Sequence, residues 1–318
     1  MAGDSPVTRG SSRRAAQFTD LRPLLFAISY RILGSVTEAE DVVQDTWLRY
    51  DEAEAEPDSP KAYLSTIVTR LSVNVLKSAR VRREAYTGEW FPEPLLEDPY
   101  QDPERTAELA DSVSMAALVL LERLSPLERA TFVLRDVFGF EYTEIAAAVG
   151  RSESACRQLL VRARRHVREG RPRFEADRQA REDLAARFFA AISAGDVESL
   201  RDLLAADVQL VTDSGGQAPA LPHAIVGVDN TVRLLGTILP HLERIGLTLQ
   251  PQEVNGQPGA LALDADGNIL QVMALDIDDG QIQTIRSVNN PEKLAHLGPV
   301  ADARAVGEEY RRGRRSQR

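Results

Sequence analysis

Apolar residues recur at helical spacing through the first half of the chain. In Phe18–Leu33 the stripe is Leu21, Leu24, Leu25, Ile28 and Ile32, and Gly34 is placed to end the helix. Thr37 is expected to cap the next helix, with Glu38 and Glu40 in the first turn, where the helix dipole favours carboxylates. On that helix Val43, Thr46, Trp47 and Tyr50 make a core face. Asp41, Gln44, Asp45 and Leu48 follow the same spacing on the opposite face. An acidic loop, 51–60, leads to a long helix starting near Lys61, with Leu64, Ile67, Val68, Leu71 and Val75 inward. Arg70, Asn74 and Lys77 share another stripe of it, and Arg80, Arg82 and Arg83 crowd its end. Residues 88–103 hold Pro92, Pro94, Pro99 and Pro103 and read as a linker that cannot continue a helix. Helical spacing resumes from Glu104 to about Arg168.

Beyond Phe174 the period changes. Two helical stretches, 182–194 and 197–204, precede apolar runs of strand length at 208–212, 247–254, 260–263, 269–277 and 281–288. Asn255-Gly256, Asp266-Gly267 and Asp279-Gly280 between these runs are hairpin signals. A further helix, 229–239, falls among the early strands. The pattern predicts an α+β domain with a curved antiparallel sheet over 174–300, followed by a loose charged tail, 301–318.

The net charge of -10 looks unsuited to a DNA-binding protein until its distribution is read. Residues 151–173 hold eight arginines against two glutamates, whereas 174–300 hold eighteen acidic residues against eight basic ones. A compact arginine block beside an acidic module is the asymmetry of a nucleic-acid binder carrying an appendage. The N-terminus is polar and no run of eighteen apolar residues occurs, which argues for a cytoplasmic protein. The one cysteine, Cys156, leaves no intramolecular disulfide and no multi-cysteine zinc site. Neither a metal nor another cofactor is expected.

Residues 142–149, Gly150, Ser152 and the helix through Arg168 form a predicted helix-turn-helix, whose second helix enters the major groove with its N-terminal side chains leading. Ser154, Arg157 and Gln158 lie near that end, followed by Arg162, Arg164 and Arg165. Arginine reads guanine and glutamine reads adenine through paired hydrogen bonds, so these residues are the candidate DNA readers. Asn74 and the cations around it could meet bases and phosphates in the same way. A solvated basic face is the plain alternative for each stripe taken alone.

Taken together the motifs resemble a known family. Leu33-Gly34-Ser35 with Ala39 through Arg49, then Leu124-Ser125-Pro126-Leu127-Glu128-Arg129-Ala130, then Tyr142-Thr143-Glu144-Ile145-Ala146 through Arg165, are similar to segments of extracytoplasmic-function (ECF) sigma factors. The resemblance covers 18–168. It implies that Asp41, Gln44, Asp45 and Leu48 bind core RNA polymerase, that Arg70, Asn74, Lys77 and Arg80 meet the -10 element of promoter DNA, and that Ser154, Arg157, Gln158, Arg162, Arg164 and Arg165 read the -35 element. Trp90-Phe91-Pro92-Glu93-Pro94 and Asn290-Pro291-Glu292-Lys293-Leu294 resemble the subgroup with a SnoaL-like extension, a cone of the NTF2-like fold. That subgroup carries Asp-Gly-Gly-Gly-Lys where this chain has Asp213-Ser214-Gly215-Gly216-Gln217, so one glycine and the lysine are missing.

The domains expected are therefore 15–87 for polymerase and -10 binding, the linker 88–103, the helix-turn-helix domain 104–173 and the SnoaL-like domain 174–300. The cone is expected to dock on the sigma domains or their linker and to set their activity, with Trp90, Phe91, Pro92, Asp213, Asn290 and Lys293 at the junction. An unidentified small-molecule ligand or protein in the cone is a further expected partner. Two other classes compete. An enzyme would use Asp213, His223 or Asp276 as acid or base, but a lone histidine before an apolar stretch is commonly structural, so no catalysis is expected. A one-component ligand-sensing regulator would explain the helix-turn-helix and the cone but leaves the Asp41 face without a purpose.

Overall fold

The structure is a computed structural model and describes residues 6–84, 86–100, 106–168, 178–218, 223–242 and 246–308. The chain divides into two compact units. One comprises Met1–Glu84, Asp98–Val113 and Ala117–Arg171, and the other comprises Ala85–Glu97, Ser114–Ala116 and Pro172–Arg318. The expected linker is thus shared, with its first part in the second unit and its end, from Asp98, in the first. The C-terminal tail beyond 308, the end of the expected linker (101–103) and both ends of the expected helix-turn-helix domain (104–105 and 169–173) lie outside the described residues.

The first unit is helical. α1 (Pro6–Leu33), α2 (Val36–Asp51) and α3 (Pro60–Glu84) pack on one another through the expected stripes, with Leu25, Ile28, Ile32, Val43, Leu64 and Val68 buried. α1 starts well before Phe18, because its polar turns have a partner along α2. Gln17 accepts from the Tyr50 hydroxyl at 2.8 Å, and Arg14 donates to the Asp51 carbonyl at 3.0 Å. The cap of α2 is Ser35, not Thr37. Gly34 turns the chain at φ 70°, which puts Ser35 in extended backbone with its hydroxyl accepting from the Glu38 amide. α4 (Thr106–Val113), α5 (Met115–Leu121, of which Met115 and Ala116 fall to the second unit) and α6 (Pro126–Phe132) follow, then a π-helical turn (Val133–Val137), α7 (Tyr142–Val149) and α8 (Glu153–Arg168).

A buried ionic network ties these helices together. Arg31, wholly buried, donates to the Asp98 carboxylate at 2.8 Å, to the Leu109 carbonyl at 3.0 Å and to the Ser112 hydroxyl at 2.8 Å. Arg129, also buried, donates to the Arg31 carbonyl at 3.0 Å and pairs with Glu122. Arg83 meets the other oxygen of Glu122 at 2.6 Å and the Leu33 carbonyl at 2.5 Å. Burial works to raise the Glu122 carboxyl, but the Arg129 and Arg83 guanidiniums outweigh it and hold it below the usual carboxylate range.

The second unit is α+β. α9 (Arg178–Ala194), α10 (Val197–Leu203) and α11 (Val228–Leu242) lie against a six-stranded sheet of order β2-β1-β6-β5-β4-β3. Its strands are β1 (Leu204–Asp213), β2 (Ile225–Val226), β3 (Thr248–Val254), β4 (Gln257–Leu263), β5 (Ile269–Asp278) and β6 (Gln281–Val288). All pairs are antiparallel except β1 with β6. Asn255-Gly256 and Asp279-Gly280 turn the β3–β4 and β5–β6 hairpins with both residues at positive φ, the geometry that makes such pairs hairpin signals. Phe188, Leu200, Leu210, Leu235, Leu275 and Ile285 fill the core between helices and sheet. Helices against this sheet make the α+β cone expected over 174–300, and the one-turn helix α12 (Pro291–Leu294) follows β6. No helix among the described residues is long and apolar enough to cross a membrane.

Candidate polymerase and nucleic-acid interface

On α2, Ala39, Val42, Val43, Thr46 and Tyr50 are buried, while Asp41, Gln44, Asp45 and Leu48 are all exposed. Leu48 is 50% exposed, and the four side chains follow one stripe along the helix.

On α3, Arg70, Asn74 and Lys77 are exposed on one side of the helix. The Arg70 guanidinium is engaged, donating to the carbonyls of Ala147 at 2.7 Å and Ala148 at 3.4 Å at the C-terminus of α7. A cation there complements the unsatisfied carbonyls that end a helix. The side chains of Arg80 and Arg82 lie outside the described residues.

α7 ends at Gly150, left-handed at φ 65°, whose amide closes on the Ala146 carbonyl. The Ser152 hydroxyl then accepts from the Ala155 amide at 3.3 Å to start α8. α8 buries Cys156, Leu159, Leu160 and Ala163 and exposes Ser154, Arg157, Gln158, Arg162, Arg164 and Arg165. Three of these arginines have acidic neighbours. Arg157 pairs with Glu153 at 3.0 Å and lies over the Tyr142 ring, Arg162 meets Glu128 at 3.2 Å, and Arg164 grips Asp136 with two bonds of 2.7 and 2.8 Å. Burial pushes the Cys156 thiol up, away from the reactive thiolate.

A second cluster lies in the other unit, where 86–97 runs along the cone. The buried Asp213 carboxylate accepts from the Tyr86 hydroxyl at 2.5 Å, the Phe91 amide at 2.8 Å and Lys293 at 2.6 Å. Lys293 also donates to the Phe91 carbonyl and lies over the rings of Trp90, at 4.3 Å, and Tyr86. Asn290 caps α12 with its side-chain oxygen and donates to the Tyr86 hydroxyl at 2.8 Å with its nitrogen. Burial and the Asp213 charge raise the Tyr86 phenol, which stays a donor. Phe91 and Pro92 are buried, with Arg286 over the Phe91 ring. Further along, Leu95 exchanges two bonds with Asn255: its amide donates to the Asn255 side chain at 3.0 Å, and its carbonyl accepts the Asn255 amide at 2.7 Å. His296 meets the Pro94 carbonyl at 2.8 Å.

Tyr86, Asn255 and His296 were not among the residues expected here. Asn255 reads in sequence only as half of a hairpin turn. The departure at Ser214-Gly215-Gly216-Gln217 is accommodated: Gln217 is exposed, and the cation facing Asp213 is Lys293. Gly215 is at φ 58°, and a Cβ there would lie 2.5 Å from the Asn290 side-chain nitrogen and 3.0 Å from the Tyr86 hydroxyl, so the cluster would have to shift to admit one. Of the acid–base candidates, Asp213 is committed to this cluster, Asp276 is buried against Arg286 at 2.7 Å, and His223 is exposed in the bend that leads into β2. Burial raises the Asp276 carboxyl, with Arg286 opposing.

Comparison with known proteins fits this division. The Sigma-70 region 2 family matches residues 17–82, and the family described as Sigma-70, region 4 matches residues 114–167. Helical modules in this order, the second with a helix-turn-helix, define a sigma factor of the sigma-70 class. The chain is 36% identical over 302 residues to the ECF RNA polymerase sigma factor SigJ of Mycobacterium tuberculosis, covering 91% of this chain and 96% of that one. It is 33% identical to the probable ECF sigma factor SigI of the same species, over 87% of this chain and 93% of the other. The crystal structure of SigJ superposes with a TM-score of 0.68 at 34% identity, covering 88% of this chain and 98% of that one. The chain belongs to the ECF sigma factors of RNA polymerase, and carries a cone-shaped C-terminal extension.

Proposed function

We propose that this sigma factor brings core RNA polymerase to promoter DNA, in the cytoplasm, under the control of a cone that holds its own interdomain linker. The exposed stripe of Asp41, Gln44, Asp45 and Leu48 supplies the polymerase contact. Arg70, Asn74, Lys77 and Arg80 supply -10 contacts. Ser154, Arg157 and Gln158 read -35 bases, while Arg162, Arg164 and Arg165 hold phosphates.

The observation that carries the control is the Asp213 carboxylate bonded to the Phe91 amide at 2.8 Å. Two elements named -35 and -10 lie roughly 25 base pairs apart, about 85 Å of duplex at 3.4 Å per pair. The Arg70 bond to α7 ties α3 to the helix-turn-helix, so both elements can be met only after the two helical modules separate. Residues 85–105 reach roughly 70 Å when fully extended, but with 86–95 held on the cone the remainder reaches about 35 Å. Holding the linker therefore limits promoter engagement, and releasing it restores reach. The cone acts as a regulatory and binding module, not a catalyst.

Run-off transcription with core polymerase tests the reading. The full chain is expected to start transcripts at discrete promoters, and Asp213→Asn is expected to change their yield. Transcription identical in the two proteins would refute control through the linker, and no promoter-specific transcript from either would refute the reading as a whole.

A further inference from the structure

The cone holds a partly open cavity of about 360 Å³ lined by α9, α11 and the sheet. Most of its wall is apolar, including Phe188, Leu210, Leu235 and Met273, and its polar atoms come from Thr212, Gln271, Ser287 and Asn289. Among the described residues its lining carries no ionisable side chain. An occupant with a net charge would be left unpaired in an apolar surround, which is strongly unfavourable. A neutral molecule with hydrogen-bonding atoms suits such a wall.

The place of three of those polar groups gives the cavity a second meaning. Side chains alternate across a strand, so the ends of β1 and β6 present neighbouring residues to opposite faces. Thr212 lines the cavity while Asp213 bonds the linker. Asn289 lines it while Asn290 bonds Tyr86. Thr212 is in register with Ser287 and Asp213 with Val288, and the Asp213 carbonyl accepts the amides of Asn289 at 2.9 Å and Asn290 at 3.1 Å. The polar part of the cavity and the linker cluster are two sides of the same backbone.

We propose that the cavity binds an uncharged, largely apolar small molecule bearing a hydroxyl or carbonyl, and that the bound molecule holds the linker on the cone. This rests on the reading of the cone as a linker clamp. The sign follows from linkage: the cavity exists in the linker-bound form, and a ligand that prefers one form stabilises it. Reciprocity then requires that loosening the linker weaken the ligand by the same factor.

The full-length chain is titrated with the neutral fluorophore 1-N-phenylnaphthylamine, which is displaced with 2-naphthol or with charged 2-naphthoate. Linker hydrogen exchange over 86–97 is followed in parallel. Displacement by 2-naphthol at concentrations at least tenfold below those needed for 2-naphthoate, with slower linker exchange when 2-naphthol is bound, is expected. Thr212→Val should weaken 2-naphthol more than the fluorophore, and Ser287→Ala serves the same purpose if the first variant fails to fold. Asp213→Asn should speed linker exchange and weaken 2-naphthol about fivefold or more, the lower end of typical site-to-site coupling. No fluorophore binding, equal displacement by the two naphthalenes, or linker exchange indifferent to 2-naphthol would each overturn the proposal. Faster linker exchange in unliganded Asp213→Asn stands apart from these results and reports on the clamp alone, so the two readings fail separately.

Discussion

Lys293 and Asp213 lie 2.6 Å apart in a buried pair, and the carboxylate oxygen that Lys293 meets is the one that accepts the Phe91 amide. One oxygen thus serves an ion pair within the cone and the attachment of the linker, so neither can be altered alone. Lys293→Met should leave Asp213 with its charge uncompensated and cost about 3–5 kcal/mol, the usual penalty for breaking a buried pair. Adding Asp213→Leu should recover part of that loss. Denaturant unfolding of the full-length single and double variants measures the coupling, and strictly additive losses would show that the pair acts independently.

The α2 stripe is expected to bind without supporting the fold. Asp41→Lys with Asp45→Lys should keep native helix content, because both side chains are exposed, and should abolish association with core polymerase. Circular dichroism and a pull-down check the two halves of the prediction, and normal capture would mean that the face is merely solvated.

Within α8 the arginines should divide by task. Arg157→Ala should relax preference at one -35 position by about 1–3 kcal/mol. Arg165→Ala should weaken all sequences alike and lower the salt slope by about one. Binding to a panel of single-base promoter variants at several salt concentrations separates these outcomes.

The helical unit should lose stability in acid through Glu122. Its folded carboxyl sits below the ordinary value, so its stabilisation is fully present above the unfolded pKa of about 4.3 and disappears as pH falls through the lower folded value. Glu122→Gln should therefore be less stable than the parent at neutral pH, with the gap closing below about pH 4. Urea midpoints of both proteins from pH 3 to 7 would show it, and a gap constant over that range would contradict the assignment.

The sequence shows most clearly what is local. The stripe of α2 and its complement, Asp41 to Leu48, follow from side-chain spacing along one helix, and the Gly150–Ser152 turn from residue chemistry at adjacent positions. Trp90 and Phe91 stand out because the linker around them is polar. The buried charges escaped notice for the opposite reason. Nothing in the periodicity of α6 indicates that Arg129 is inside, because its partner carbonyl at Arg31 lies 98 residues away. Asn255 fits its hairpin turn so well that a second task, holding Leu95 at a separation of 160 residues, has no local trace. Thr37 was favoured as a cap on residue type, whereas the left-handed turn at Gly34 selects Ser35.

The attachment of the linker also sets a schedule for the newborn chain. Phe91 leaves the ribosome 202 residues ahead of Lys293, an interval of about 10–40 s at 5–20 residues per second. The α2 stripe is already made when Phe91 emerges and the helix-turn-helix follows within that interval, both ahead of Asp213 and Lys293. A newly made molecule therefore carries both helical modules before the residues that hold its linker exist, so under the proposed clamp the restraint of a young molecule depends on time as well as on structure.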